Sequence, residues 1–217
     1  QVSNLYNSIQ AALAGAERVF EVIDEPGEPE DGTPQVVAVH GAIRGRPVHG
    51  DVQFKNVQFS YTPGVPIIKD FTLDVKAGQT IALVGPTGAG KTTIINLLTR
   101  FYEIDSGSIT IDGVDIRQMP RSELRRNLGL VLQDTFLFAD TVMENIRYGR
   151  LEASDDECIE AARMAEADHF IRQLPNGYKT NLSERAGNLS AGQRQLLSIS
   201  RAILADPAIL ILDEATS

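Results

Sequence analysis

The stretch "LVGPTGAGKTTIINLLTR", Leu83 to Arg100, constrains the fold of this chain more than any other. An apolar run, "TIALVG", leads into a glycine-rich turn and then into a lysine that opens a helical pattern. A continuous apolar run ending in glycine is the pattern of a strand buried on both faces of a parallel sheet, so a strand, a tight loop and a helix are expected in that order. Gly85, Gly90, Lys91 and Thr92 stand in the spacing G-x-x-x-x-G-K-[ST]. In that context successive backbone N–H groups and the helix N-terminus converge on an anion, and glycine lets the backbone approach a phosphate without a Cβ in the way. Gly85, Pro86, Thr87, Gly88, Ala89, Gly90, Lys91, Thr92 and Thr93 are therefore the expected cradle of a nucleotide. Lys91 is expected to serve the β- and γ-phosphates as a point charge and the Thr92 hydroxyl to serve Mg²⁺. A later run, "ILILD", ends in Asp213 followed by Glu214. Two carboxylates then stand at the carboxyl end of a buried strand, where α/β sheets hold ligands. Asp213 suits a Mg²⁺-holding role and Glu214 that of general base toward an attacking water.

Other segments place this loop in a larger plan. Leu5, Ile9, Leu13, Ala16, Val19, Phe20 and Ile23 recur at three- and four-residue steps and predict an amphipathic helix within residues 1–25. Residues 26–50, "PGEPEDGTPQVVAVHGAIRGRPVHG", are rich in Pro, Gly and charge and read as a linker. From Asp51 the text alternates, with Val52, Phe54, Val57 and Phe59, then Phe71, Leu73 and Val75, which predicts short antiparallel strands. "SGSITIDGVDI" predicts a further hairpin and "RRNLGLVLQD" a second buried strand. "SDDECIEAARMAEADHFIRQL" predicts one helix capped by Ser154, and "AGQRQLLSISRAILA" a helix starting near Ser190. Buried strands alternating with helices imply an α/β domain over 51–217, with the alternating strands as an antiparallel subdomain.

Composition narrows the partners. Twenty Lys and Arg against 29 Asp and Glu give a net charge of −9. No basic run is present that could neutralise a phosphate backbone, so nucleic acid is not an expected partner. The single cysteine, Cys158, excludes an internal disulfide framework and fits a small buried residue. No apolar stretch reaches the roughly 18 to 20 residues that span a bilayer. Arg194 and Arg201, on the predicted helix after Ser190, read as a solvated or ion-paired face rather than as phosphate ligands.

"LSAGQ", Leu189 to Gln193, lies between the two nucleotide elements and resembles the LSGGQ signature of the ATP-binding cassette ATPases, with Ala191 where that family most often has glycine. Tyr61 in "FSYTPG" is similar to the aromatic residue that stacks on adenine, and Gln133 in "LVLQD" to the loop glutamine that senses Mg²⁺ and the attacking water. The resemblance covers nearly all of Asp51 to Ser217. It implies a P-loop NTPase core with a parallel sheet, an antiparallel β subdomain and an α-helical signature subdomain. ATP and Mg²⁺ are the implied cofactors, with Glu214, Gln133 and Lys91 catalytic and Thr92, Gln133 and Asp213 at the metal. Two such domains would meet head to tail, so that Ser190, Gly192 and Gln193 face a partner's nucleotide.

"NLSERAGNLSAGQ" is similar to the exporter-type stretch in which an acidic residue, here Glu184, touches the coupling helices of a membrane domain, although Ser183 stands where glycine is common. "AGAERVFEVIDEPGEPED" resembles the text that ends the last membrane helix in exporters with fused membrane and ATPase domains. The implied partners are a second cassette domain and a transmembrane domain of the same polypeptide, at the cytoplasmic face of a membrane. The family continues beyond the catalytic glutamate to a switch histidine, a position that His40, His49 and His169 do not occupy. The fragment alone is therefore expected to bind ATP weakly and hydrolyse it poorly. Two other readings are a soluble cassette acting on nucleic acid and a non-hydrolytic nucleotide sensor. The −9 balance and the short interval from Gly85 to Leu189 oppose the first, and Glu214 opposes the second.

Overall fold

Alternation of apolar and polar residues after Asp51 builds the principal sheet of this computed structural model, which describes residues 2–28, 38–39, 42–43, 46–132, 135–183 and 186–213. The chain divides into two units, residues 1–33 and 34–217. The first holds helix α1 (Val2–Ile23), on which Tyr6, Ile9, Leu13, Phe20 and Ile23 are exposed. The positions of the expected apolar stripe all fall within this helix. No helix among the described residues is long and apolar enough to cross a membrane.

The second unit opens with three two-residue strands in an antiparallel ladder, β1 (Ala38–Val39), β2 (Ala42–Ile43) and β3 (Arg46–Pro47). Next come β4 (Val52–Phe59) and β5 (Ile68–Val75), then helix α2 (Lys91–Leu98), β6 (Ser106–Ile111) and β7 (Val114–Asp115). These four strands form an antiparallel sheet in the order β5-β4-β6-β7. In β4 the buried residues Val52, Phe54, Val57 and Phe59 are not in strict alternation, because a register shift between Phe54 and Val57, with Asn56 at φ 47°, inserts an extra residue. Such a bulge restores the inward face of the strand beyond it. Phe54, Val57, Ile109 and Ile111 pack with Leu97 of α2 and with Leu124 into one core.

Helix α3 (Arg121–Arg126) leads into β8 (Leu128–Val131), which pairs in parallel with β9 (Ile209–Leu212). Between those strands lie α4 (Val142–Arg147), α5 (Asp155–Met164), α6 (Asp168–Gln173) and α7 (Ala191–Leu204). They surround a second core that contains Ile146, Cys158, Ala162, Ile171 and Leu197. Cys158 is fully buried, as expected.

Two expectations are corrected. Residues 80–86 do not form a strand, and Ile81 and Val84 are 47% and 89% exposed. A strand takes its hydrogen bonds from neighbours and not from its own apolarity. Among the described residues the parallel ladder has two strands, and Leu210 and Leu212 on β9 are also exposed. The second correction is that the helix after Ser154 is two helices. Glu166 adopts φ 58°, its N–H bonds the Arg163 carbonyl at 3.0 Å, and the Ala167 N–H reaches the Ala162 carbonyl at 2.8 Å. This is a Schellman ending with glutamate in place of the usual glycine.

Candidate nucleotide-binding site

The glycine-rich turn closes on itself before α2 begins. The Ala89 N–H bonds the Pro86 carbonyl at 3.1 Å, and Gly88 and Gly90 take φ of 83° and 92°. Those values lie where glycine is favoured, so both residues are required by the turn. Gly90 is also the N-cap of α2 and supplies no side-chain cap, which leaves the first N–H groups of the helix open to a ligand. Lys91 Nζ donates to the carbonyls of Gly85 at 2.7 Å and Pro86 at 3.2 Å, so the ammonium rests against the loop that precedes it. Carbonyl oxygens are weak partners for an ammonium compared with an anion. Thr92 is exposed and Thr93 buried, one on each side of the helix start.

The parallel ladder aligns the other elements. Val131 pairs with Leu212, and the Asp213 N–H extends the ladder by bonding the Val131 carbonyl at 2.9 Å. The segments leaving β8 and β9 therefore emerge from the same carboxyl end of the ladder, where Asp213 stands. Asp213 is partly buried there. Gln133, Glu214 and the expected contact residue Glu184 lie outside the described residues.

Ser190 and Gln193 form the N-terminus of α7. Ser190 Oγ accepts from the Gln193 N–H at 3.2 Å and Gln193 Oε1 accepts from the Ser190 N–H at 2.9 Å, a reciprocal capping box. Ala191 is the first helical residue and Gly192 faces open space. Alanine is well suited to that position, so the departure from the commoner glycine costs this helix nothing.

Tyr61 lies on the loop between β4 and β5. Its ring meets Phe59 and Tyr102 edge to face, with centroids 4.7 and 4.9 Å away, and its hydroxyl reaches α2 at Thr93 and Asn96. Tyr102 and Asn96 were not singled out by sequence. Their only sequence signal is a place on or just after the helix that follows the glycine-rich loop.

Arg201 departs from its expected solvated or ion-paired face. Its guanidinium donates to the carbonyls of Phe136 (2.6 Å) and Asn145 (2.5 Å) and to the Asn145 side-chain oxygen (2.5 Å), beneath the rings of Phe138 and Tyr148. Burial lowers its pKa. Arg194 turns back instead to the Leu189 carbonyl at 2.7 Å and steadies the turn before α7. An open cleft beside α6, lined by Arg163, Glu166, His169 and Arg172, contains none of the expected site residues.

The ABC transporter family model matches residues 68–217. The chain belongs to the ABC transporter family. It is 51% identical over its whole length to the fatty acid ABC transporter ATP-binding/permease protein of Mycobacterium bovis, of which it covers 33%. It is 46% identical over 216 residues to the ATP-dependent lipid A-core flippase of Legionella pneumophila, covering 35% of that protein. The solved structure of a bacterial Atm1-family ABC exporter with ATP bound matches 97% of this chain and 36% of its own, with a TM-score of 0.82 and 40% identity. The chain thus spans about a third of the length of these relatives. Its fold class is the expected α/β cassette.

Proposed function

We propose that this chain is the ATP-binding and ATP-hydrolysing domain of an exporter in which cassette and membrane domains share one polypeptide. The observation that carries the proposal is the in-register parallel pair Val131–Leu212, continued by the Asp213 N–H, so that the chain segments before Gln133 and Glu214 both leave the carboxyl end of the ladder. The donors fit a triphosphate. Gly88 and Gly90 provide the turn, the α2 N-terminus is open, and Lys91 can exchange two loop carbonyls for phosphate oxygens. Thr92 and Asp213 supply a hydroxyl and a carboxylate, the hard oxygen ligands that suit Mg²⁺. When bound, Mg²⁺ would neutralise charge on the transferring phosphate.

In this reading Glu214 takes the proton of the attacking water, Gln133 orients that water, and Lys91 holds the β- and γ-phosphates. Tyr61 receives the adenine. Ser190, Gly192 and Gln193 present the N-terminus of α7 to the nucleotide of a second cassette, so ATP joins two domains and its hydrolysis separates them. Glu184 meets the membrane domain, residues 1–25 extend its last helix, and the assembly works at the cytoplasmic face of a membrane without nucleic acid. Support comes from the family and from relatives named as a transporter, a flippase and an exporter.

The test is Mg²⁺-ATP turnover by the full-length protein beside its Glu214→Gln variant, with association followed in both. Turnover falling by about 10²-fold or more, while an ATP-dependent dimer accumulates, is the expected result. Turnover unchanged in the variant would remove Glu214 from the reaction.

A further inference from the structure

Tyr61 keeps 46% of its surface exposed, yet its hydroxyl is tied down. The O–H donates to Thr93 Oγ1 at 3.2 Å and accepts from Asn96 Nδ2 at 3.4 Å. Thr93 and Asn96 are three residues apart on α2 and so share one face of the helix. That helix begins directly after the glycine-rich loop. Phe59 and Tyr102 stand nearly perpendicular to the ring, at 85° and 87°, so its position is set at the sides as well as at the tip. A second contact joins the same elements. A Cβ on Gly90 would fall 2.7 Å from Ile68 Cδ1, so the residue that starts β5, just beyond the Tyr61 loop, is packed against the start of α2.

A hydroxyl contributes nothing to stacking on a flat base, because the stacking surface is the ring. Fixing the ring before a ligand arrives does contribute, because a side chain that is already ordered loses less freedom on binding. From these contacts we infer that Asn96 is a positioning residue for the nucleotide. Acting through the Tyr61 hydroxyl, it fixes the base platform relative to the phosphate loop without touching the ligand. The inference rests on the proposed role of Tyr61 as the adenine platform.

Equilibrium binding of ADP and of inorganic pyrophosphate to the full-length protein, both with Mg²⁺, separates platform from phosphate loop, and pyrophosphate binding also reports that each variant is folded. Asn96→Leu is expected to weaken ADP about three- to tenfold, as loss of one hydrogen bond does, and to leave pyrophosphate unchanged. Tyr61→Phe is expected to weaken ADP at least as much, since it removes the bond to Thr93 as well, and the double variant to be no weaker than Tyr61→Phe alone, because that change already removes the bond from Asn96. Equal weakening of ADP and pyrophosphate by Asn96→Leu, or additive losses in the double variant, would overturn the inference by showing that Asn96 acts through α2. So would an Asn96→Leu variant that binds ADP normally while Tyr61→Ala does not. If Tyr61→Ala itself left the ratio of ADP to pyrophosphate affinity unchanged, the base-platform reading would fall, and the role of Asn96 with it.

Discussion

The guanidinium of Arg201 is held by oxygens that carry no formal charge, those of Phe136 and Asn145, and by two aromatic faces. Its planar fork of donors suits several fixed acceptors at once, whereas a lysine ammonium is a single point. Through it α7 is joined to α4 and to the segment before α4. Gly149, just after α4, lies so close to α7 that a Cβ there would run into the Arg201 backbone carbonyl. Arg201→Met is therefore expected to lower unfolding free energy by about 2–4 kcal/mol, with Arg201→Lys recovering little of it. Gly149→Ala is expected to cost about 1–3 kcal/mol. Urea unfolding of the three variants checks this, and a fully stable Arg201→Lys would show that charge alone suffices. These contacts were not legible in the sequence. The Arg201 partners at Phe136 and Asn145 are 65 and 56 residues away, and most are backbone carbonyls, which have no residue identity to read. Lys91 was legible because its spacing from Gly85 is local.

Helix termini decide how the elements present the site. The capping box that starts α7 uses the same Ser190 proposed to face a partner's nucleotide, so a simple truncation confounds two roles. Ser190→Ala should lose about 1 kcal/mol of stability with the cap. Ser190→Asp keeps a capping oxygen and adds a charge favourable to a helix N-terminus, so stability should hold while ATP-dependent association is lost to repulsion from phosphate. Thermal unfolding and sedentimentation with ATP, run on both variants, distinguish the roles. If Ser190→Asp associated normally, the serine would be a cap alone. Farther along the chain, Ser154 was readable as a cap, but the division of α5 from α6 was not, since glutamate at the left-handed position carries no such signal. That division frees Asp168 to begin α6, where it accepts from the Tyr178 hydroxyl at 2.7 Å and the Arg172 guanidinium at 2.8 Å. Burial pushes its carboxyl up, and those two donors outweigh it, leaving the pKa below the ordinary range. Because the folded value is the lower one, this contribution is complete above about pH 4 and is lost as pH falls through the folded value. Asp168→Asn should therefore flatten part of the acid limb in unfolding measured from pH 5 downward. An unchanged limb would mean that the carboxylate is not stabilised by folding.

At the scale of the whole molecule, the composition changes at Asp51, whereas a strand that depends on its neighbours cannot be read from its own text. The run 80–86 has the apolarity of a central strand, yet pairing is a property of the sheet and no local pattern can supply it. The change of composition at Asp51, by contrast, coincides with a physical clamp. Both carboxylate oxygens of Asp112, at the β6–β7 turn, accept from backbone N–H groups of His49 (2.8 Å), Gly50 (3.1 Å) and Asp51 (2.9 Å). Three charge-assisted bonds to consecutive amides hold the chain entering β4 beside the turn. We propose that the working boundary between linker and cassette lies at this clamp. Proteases act on chain that can leave its hydrogen bonds, and the text ahead of the β1–β3 ladder, residues 26–37, is the part of the stretch richest in proline and charge. Limited proteolysis should accordingly cut first within 26–48 and leave a fragment that resists further digestion. Asp112→Ala removes all three acceptors at once, so early cuts should extend past Asp51 into β4, with a stability loss of about 2–4 kcal/mol. Mass spectrometry of the first fragments reads both outcomes. First cuts inside 51–213 of the unaltered protein would place the boundary elsewhere, and a cleavage pattern unmoved by Asp112→Ala would mean that the β4 ladder alone holds the start of the cassette.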